Sequence, residues 1–460
     1  MVAASIAQRT AILAILGLAL SGCYTQQQAY LDGPAIPAGG AQPLKAEAPV
    51  ARVSPPVPPA AQPLILVSDQ ASDPGGGTLT LAGAVRRALR FSPAVHAAAL
   101  EIDAKRGEAL QAGLRPNPEL GGWSWNVGEE PAEEALDVSQ MFELGGKRLK
   151  RLRAAELDIG VAAWDYEAAR LRVASNTSQS FVDVLASQDR IKILAELQTV
   201  AGTFSDAVSA RVQTGGANLV DVQRARIEVT RAKAQLKEEN AVLAVAKRRL
   251  ANNWGSRSAD FGSAKGELTS KYQVPSAEPI SSSLESNPDV ARWAQEMVRR
   301  EAVLALERAK AIPDLTLTAG ARRVESSDDT GAVLQLSVPL PLFNRNQGDI
   351  AAAQTRLLKA RHEGLAARVE VNAVFLESYS RLVGAAERLK ALEKEILPSA
   401  QELYDATSKG YLTGGYDLLN VLDAQRTVYA TRLEIVNARA EFQKAKVQIE
   451  ALIGRGLYEF

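Results

Sequence analysis

The chain has 460 residues, with 53 basic and 53 acidic side chains balancing to zero formal charge, and a single cysteine. A neutral chain lacks the basic footprint of a nucleic-acid binder, one cysteine cannot close an internal disulfide, and two histidines, His96 and His362, offer little for a soft-metal site. Hydrophobic residues make up 46% of the chain and aromatics 5%, enough for a large core built mainly of alanine, leucine and valine.

Arg9 and the apolar run 11–20 form the charged and hydrophobic parts of a secretory signal, too short to span a bilayer as a mature helix. Leu20-Ser21-Gly22-Cys23 follows directly. Small residues immediately ahead of a cysteine resemble the lipobox of bacterial lipoproteins; the resemblance implies removal of 1–22, lipidation of Cys23 with palmitate among the acyl groups, and a membrane anchor. The alternative is an ordinary signal peptide with a chance cysteine. Tyr24 is not an aspartate, which by the same resemblance directs the chain to the outer membrane. Residues 24–77 hold 10 of the 21 prolines, with PPVPP at 55–59 and GGG at 75–77, so 23–77 reads as a tether.

From residue 78 the sequence repeats itself. SPAV at 92–95 answers NPDV at 287–290, and Pro118-Glu119-Leu120 answers Pro313-Asp314-Leu315, both 195 residues apart. QTGGANLVDVQRA at 213–225 answers LTGGYDLLNVLDA at 412–424 with 6 of 13 positions identical. A period this long suits two halves of one pseudo-symmetric unit, 78–254 and 279–454, joined by 255–278 and ending in a tail at 455–460.

Each half predicts the same order. A helical segment (80–112 and 280–311) leads to two strands, then a long helical stretch (146–213 and 346–411), a Gly-Gly turn and a last helix. Such a stretch would reach roughly 100 Å if continuous. Leu157, Val161, Trp164, Ala168, Leu171, Ser175, Ser178, Val182 and Leu185 recur in steps of 4 and 3. So do Phe375, Tyr379, Leu382, Ala386, Leu389, Glu393, Ile396, Ala400 and Leu403. The 3.5-residue spacing predicts helices packed along a seam, with Pro398 as an interruption.

In the strands, Leu136, Val138, Phe142 and Leu144 alternate with Asp137, Ser139 and Glu143, and Ala332, Leu334, Leu336 and Val338 with Gln335 and Ser337. Trp123, Trp125 and Val127 share a face opposite Ser124 and Asn126, and we expect the tryptophans on the apolar side. Two-faced strands of this length fit a transmembrane β-barrel, with a soluble sandwich as the alternative. Acidic connections, 128–134 and 324–331, fit either. Four strands cannot close a barrel, so copies of the chain would share one; three copies give twelve strands and room for a lumen.

The lipobox, the doubled plan and the Gly-Gly turns together resemble the TolC-type outer membrane factors. The most specific stretches are RPNPEL at 115–120, VSQMFELGGKR at 138–148 and LPSAQELYDATSKGYLTGGYDLLNVLDAQRTVY at 397–429. ELGGKR in particular resembles the CzcC-type branch that serves heavy-metal exporters. The resemblance implies an α+β membrane protein: mostly long helices forming a periplasmic α-barrel, and four strands per chain contributing to a trimeric twelve-stranded transmembrane β-barrel. It implies an outer-membrane location, an exit duct for divalent heavy-metal cations in a proton-driven tripartite system, and no catalysis, cofactor or bound metal. Its partners would be two further copies, outer-membrane lipid, a periplasmic adaptor and an inner-membrane resistance-nodulation-division pump, and no nucleic acid. The adaptor would dock at the tip, Thr214-Gly215-Gly216 and Thr413-Gly414-Gly415.

By the same resemblance Asp423 and Asp221 are gate acids and Tyr411 helps to hold the tip closed. Asn420 stands where some relatives carry an acid, and Tyr416 where some carry an arginine. On trimerisation one carboxylate at a constriction becomes three, a site that attracts cations; both acids could instead cap the turns. Other readings are a drug or protein duct of the same family and a non-conducting coiled-coil scaffold lipoprotein. Gly145-Gly146-Lys147-Arg148 lacks phosphate-loop spacing and reads as a strand-to-helix turn with a basic patch that could sit near lipid headgroups.

Overall fold

The computed structural model describes residues 77–125, 133–268, 272–324, 327 and 329–454. The signal segment, Cys23, the tether through residue 76, Asn126 and Val127, residues 128–132 of the first acidic connection, residues 325, 326 and 328 of the second, and the 455–460 tail lie outside the described residues. A short strand β1 (Thr78–Thr80) leads to α1 (Leu81–Phe91) and α2 (Pro93–Ala112). The two helices part at Ser92, where Pro93 occupies a first-turn position and disfavours helical geometry in the residue before it. Strands β2 (Glu119–Trp125) and β3 (Glu133–Phe142) follow, then the 67-residue α3 (Lys147–Gln213) and α4 (Leu219–Asn252).

The second half has β4 (Ser263–Lys265), α5 (Ala277–Ser282), a single 3₁₀ turn, α6 (Pro288–Lys310), β5 (Leu315–Val324) and β6 (Asp329–Ser337). Then come α7 (Gln347–Ala391), a π-helical turn at Leu392–Ile396, α8 (Leu397–Thr413) and α9 (Leu418–Ile453). Thus 347–413 matches α3 in length but is wound differently.

That winding corrects the expected seam. Through Leu389 the 3.5-residue series is buried or half-buried, but Ile396 and Leu403 are 45% and 49% exposed. Beyond the π turn the inward face runs Leu397, Ala400, Tyr404, Thr407 and Tyr411. Pro398 has no N–H for the preceding turn, and the wider π winding accommodates the loss while inserting one residue into the register. Glu393, the one polar member of the series, bonds Arg439 of α9 at 2.7 Å and accepts from Tyr272 Oη at 2.8 Å. Burial, reinforced by Glu393, pushes the Tyr272 phenol above its ordinary value despite the opposing Arg439 charge.

Three buried clusters run along the helices. One joins α1, α2 and the upper part of α3 to Trp254, Phe261, Ala264 and Leu268; the second packs α7 on α9 around Phe375, Leu382, Phe442 and Ile449; the third lies at the Gly-Gly turns. The connecting segment is anchored by Gln188, whose amide both donates to and accepts from the backbone of Ala264 at 2.9 Å. α3 and α9 run antiparallel and are joined by polar rungs: Gln179–Gln448 (2.9 Å), Asp183–Lys444, Arg190–Asn437 (3.1 Å) and Glu196–Arg432 (2.8 Å).

The four long strands form one antiparallel sheet in the order β2-β3-β5-β6. Its register puts Leu120, Leu136, Val138, Leu317, Ala319, Leu334 and Leu336 on one face. The leucines of this face are exposed, up to 76% at Leu334. Glu119, Asp137, Ser139, Thr318 and Gln335 occupy the other. No described helix is long and apolar enough to cross a membrane; an exposed apolar face opposite a polar one is a strand surface compatible with lipid. Here the tryptophan expectation is corrected: Trp123 pairs with Ala135 and Trp125 with Glu133, which places both on the polar face.

Strand becomes helix at 143–147. Gly145 and Gly146 adopt left-handed φ of 67° and 70°, and a Cβ on Gly145 would stand 2.7 Å from Ile312 Cδ1. The basic residues that open α3 oppose its dipole. Acids and carbonyls compensate: Lys147 is buried and pairs with Asp314 at 2.7 Å, and Arg151 pairs with Glu143 and donates to the carbonyls of Ala112 and Leu114. Arg148 donates to the Gly113 carbonyl. This basic run therefore fastens strands to helices. In the second half Asn346 takes the left-handed position (φ 58°) and donates to Glu307. Burial opposes the charge of Glu307, but hydrogen bonds from Lys310 and Asn346 outweigh it and hold the carboxyl below its usual range.

Asp314 also accepts the Leu144 N–H at 2.9 Å, so Asp314→Ala strands a buried ammonium and a backbone donor together. The expected cost is about 3 kcal/mol, read as a lowered denaturant midpoint of the detergent-solubilised protein, with Asp314→Glu recovering part of it.

Candidate functional site at the hairpin turns

Both hairpins close alike. Gly215 and Gly414 have φ of 76° and 85°, while Gly216 and Gly415 each donate back to a carbonyl five residues earlier, Arg211 and Gly410, at 2.8 Å. This 6→1 closure needs a left-handed residue, which is why Thr-Gly-Gly recurs. The starts of the next helices differ. Asn218 and Asp221 form a reciprocal capping box on α4, with Asn218 Oδ1 accepting the Asp221 N–H at 2.9 Å and Asp221 Oδ2 accepting the Asn218 N–H at 3.4 Å. Asp417 precedes α9 without a side-chain cap.

The expected tip residues separate into two groups. Tyr411 is buried, together with Val208, Val222, Leu418, Val421 and Leu422. Thr214, Gly215, Gly216, Thr413, Gly414, Gly415, Tyr416, Asn420 and Asp423 are exposed. Asp221 is half-buried as a cap, 3.8 Å from Arg224. Tyr416 lies over Gly410, where a Cβ would meet its ring at 2.1 Å, so only glycine fits beneath it.

Two links cross between the hairpins here, and neither was evident in the sequence. Arg211 of α3 donates to the Tyr411 carbonyl at 2.7 Å, and its guanidinium lies 4.7 Å from the centre of the Tyr411 ring. Phe204 packs on the same ring at 5.8 Å. Burial pushes the Tyr411 phenol up, the Arg211 charge pulls it back, and Asp221 adds to the rise. The second link is Glu228 of α4, which pairs with Arg231 at 2.9 Å and with Arg426 of α9. Glu228 holds the Arg426 guanidinium above its ordinary value, and Asp423 adds to the effect. Farther along, burial and Glu196 push the Tyr429 phenol up to about 12. Among the described residues no three His, Cys, Asp or Glu side chains converge to hold a metal ion.

Paired helical hairpins with Gly-Gly turns at one end and a lipid-compatible sheet at the other define an outer-membrane transporter of the channel class, not an enzyme. The chain belongs to the outer membrane efflux protein family, whose sequence profile matches residues 84–256 and 280–455. It is 32% identical over 379 residues to the cobalt-zinc-cadmium resistance protein CzcC of Cupriavidus metallidurans, covering 82% of this chain and 91% of that protein. To the nickel-cobalt-cadmium resistance protein NccC of Alcaligenes xylosoxydans xylosoxydans it is 24% identical, covering 65% and 69%. Its fold is similar to the crystal structure of CusC, with a TM-score of 0.70 at 18% identity over 87% of this chain and 98% of that one.

Arg211→Ala removes one hydrogen bond and one cation–π contact from the crossing. The expected loosening is about 1–2 kcal/mol, seen as roughly tenfold faster amide exchange in the segment around Tyr411 with rates near Phe442 unchanged.

Proposed function

We propose that the protein is the outer-membrane exit duct of a tripartite, proton-driven efflux system and that its cargo is divalent heavy-metal cations. The sheet carries this reading. One of its faces is apolar and exposed, and β2 and β6 are its outer strands. A backbone edge left open in hydrocarbon costs several kcal/mol per unsatisfied group. Two further copies remove the edges by joining β6 of each to β2 of the next, giving twelve strands over a helical barrel. The doubled element order supports a duplicated ancestry for 78–254 and 279–454, with 255–278 as the equatorial segment and 455–460 as a tail. Cys23 is the proposed lipid anchor and 23–77 the tether. Similarity to CzcC supports the metal cargo; a scaffold role leaves the exposed apolar face unexplained.

At the turns, the adaptor docks on Thr214-Gly215-Gly216 and Thr413-Gly414-Gly415. Exposed Asp423, repeated threefold, forms the cation-attracting ring with Asn420 and Tyr416 beside it. Asp221 acts through the cap it makes on α4, and Tyr411 holds the hairpins together through Arg211. Opening separates α9 from α4 by releasing Glu228 from Arg426. Energy comes from the inner-membrane pump, which an adaptor connects to this tip.

Reconstituted mature protein is expected to form trimers that conduct in planar bilayers; a non-conducting monomer overturns the reading. Asp423→Ala lowers cation preference and divalent block, whereas Arg426→Ala raises the open fraction without changing the conductance of the fully open state. Equal single-channel records for Asp423→Ala and wild type would exclude the acid ring.

A further inference from the structure

Trp123 and Trp125 stand on the face of the sheet that an aromatic belt does not use. A belt tryptophan points toward lipid, beside the apolar residues. In this sheet the lipid-compatible face holds Leu120, Leu136, Val138, Leu317, Leu334 and Leu336, and the register sends both indoles the other way. Across the ladder, Trp123 follows the row Ala135, Arg322 and Gly331, and Trp125 the row Glu133, Val324 and Asp329. Glu133 and Arg322, one from each row, pair at 3.4 Å. The two rings are 44% and 66% exposed, and Gly331, in the row of Trp123, has open space above its Cα. Large apolar rings left uncovered on a polar, charged surface serve neither the core nor the bilayer.

We infer that Trp123 and Trp125 line the lumen of the duct and form an aromatic constriction that helps to set its conductance and its preference for cations. The inference rests on the trimeric duct reading, in which two indoles per chain become six around one bore. Physical chemistry then assigns their effect. Six bulky rings narrow the passage, and the negative face of an indole attracts cations without donating an electron pair to them. A cation is thus favoured in transit without being ligated, while Glu119, Glu133 and Asp137 on the same face contribute a negative field. This is a specificity-determining role at the membrane end of the duct, separate from the acid ring at the hairpin turns.

The test compares wild-type protein with Trp123→Phe/Trp125→Phe in vesicles of phosphatidylcholine with or without brominated acyl chains. The fluorescence missing from the Phe variant belongs to these two rings, and the other three tryptophans cancel in the difference. Lumenal rings are quenched by aqueous caesium ion and untouched by bromine in the acyl chains; quenching by the brominated lipid overturns the inference, whether or not pores form. In planar bilayers, Trp123→Ala/Trp125→Ala should raise single-channel conductance and lower the cation-to-anion permeability ratio, with the Phe variant retaining the ratio. Unchanged conductance and selectivity in a protein that still forms pores would overturn the constriction while leaving the duct standing. Absence of pores in the wild type would instead overturn the duct.

Discussion

A backbone hydrogen-bond ladder cannot end in hydrocarbon, and in the proposed duct the rest of this molecule is arranged around that constraint. Each chain commits four strands to a surface that suits lipid on one side only, which fixes a parity along every strand: even-numbered residues of β2, β3 and β6 face one way and odd-numbered residues the other. The same strands must turn sharply into long helices. Two left-handed glycines, one left-handed asparagine and the Asp314–Lys147 pair make that turn, and they do so with contacts drawn from both halves of the sequence. Asp314 belongs to the second half and Lys147 to the first, so the first half does not complete its own junction.

The helical part answers a different demand. In the proposed duct, a wall that opens must be stiff along its length and weakly tied at its end. Polar rungs tie α3 to α9, whereas at the turns a small buried cluster is supplemented by one arginine over one tyrosine and one cross-hairpin ion pair. Arg426 is nearly half exposed, and an exposed pair of that kind contributes only about 0.2–1 kcal/mol. Weak fastening is appropriate where a partner protein is proposed to intervene.

Much of the architecture was legible in the residues. The order of elements, the two 67-residue stretches and the Thr-Gly-Gly turns follow from patterns that are local and repeated, and the alternation in β3 and β6 marks their faces without ambiguity. What escaped was whatever depends on a partner strand or a distant residue. In β2 the glycines at 121 and 122 remove the apolar markers on which face assignment relies, so the two tryptophans suggested an apolar side that the pairing with β3 rules out. The basic run at 147–151 looked like a surface patch because its acid, Asp314, lies far away in sequence. Asp221 was read as a gate acid with capping as the alternative, and its geometry is that of a cap.

The π turn has one further consequence. Each residue of an α-helix turns the chain by about 100°, so the extra residue taken up at Leu392–Ile396 acts as a phase setting for everything beyond it. Rotation, more than length, is what this device controls: it aims Tyr411 at Arg211 and leaves Ile396 and Leu403 outward. Evolution can therefore retune which side of α8 faces its neighbour by adding or losing a single residue near Pro398, with every contact above that point left in place.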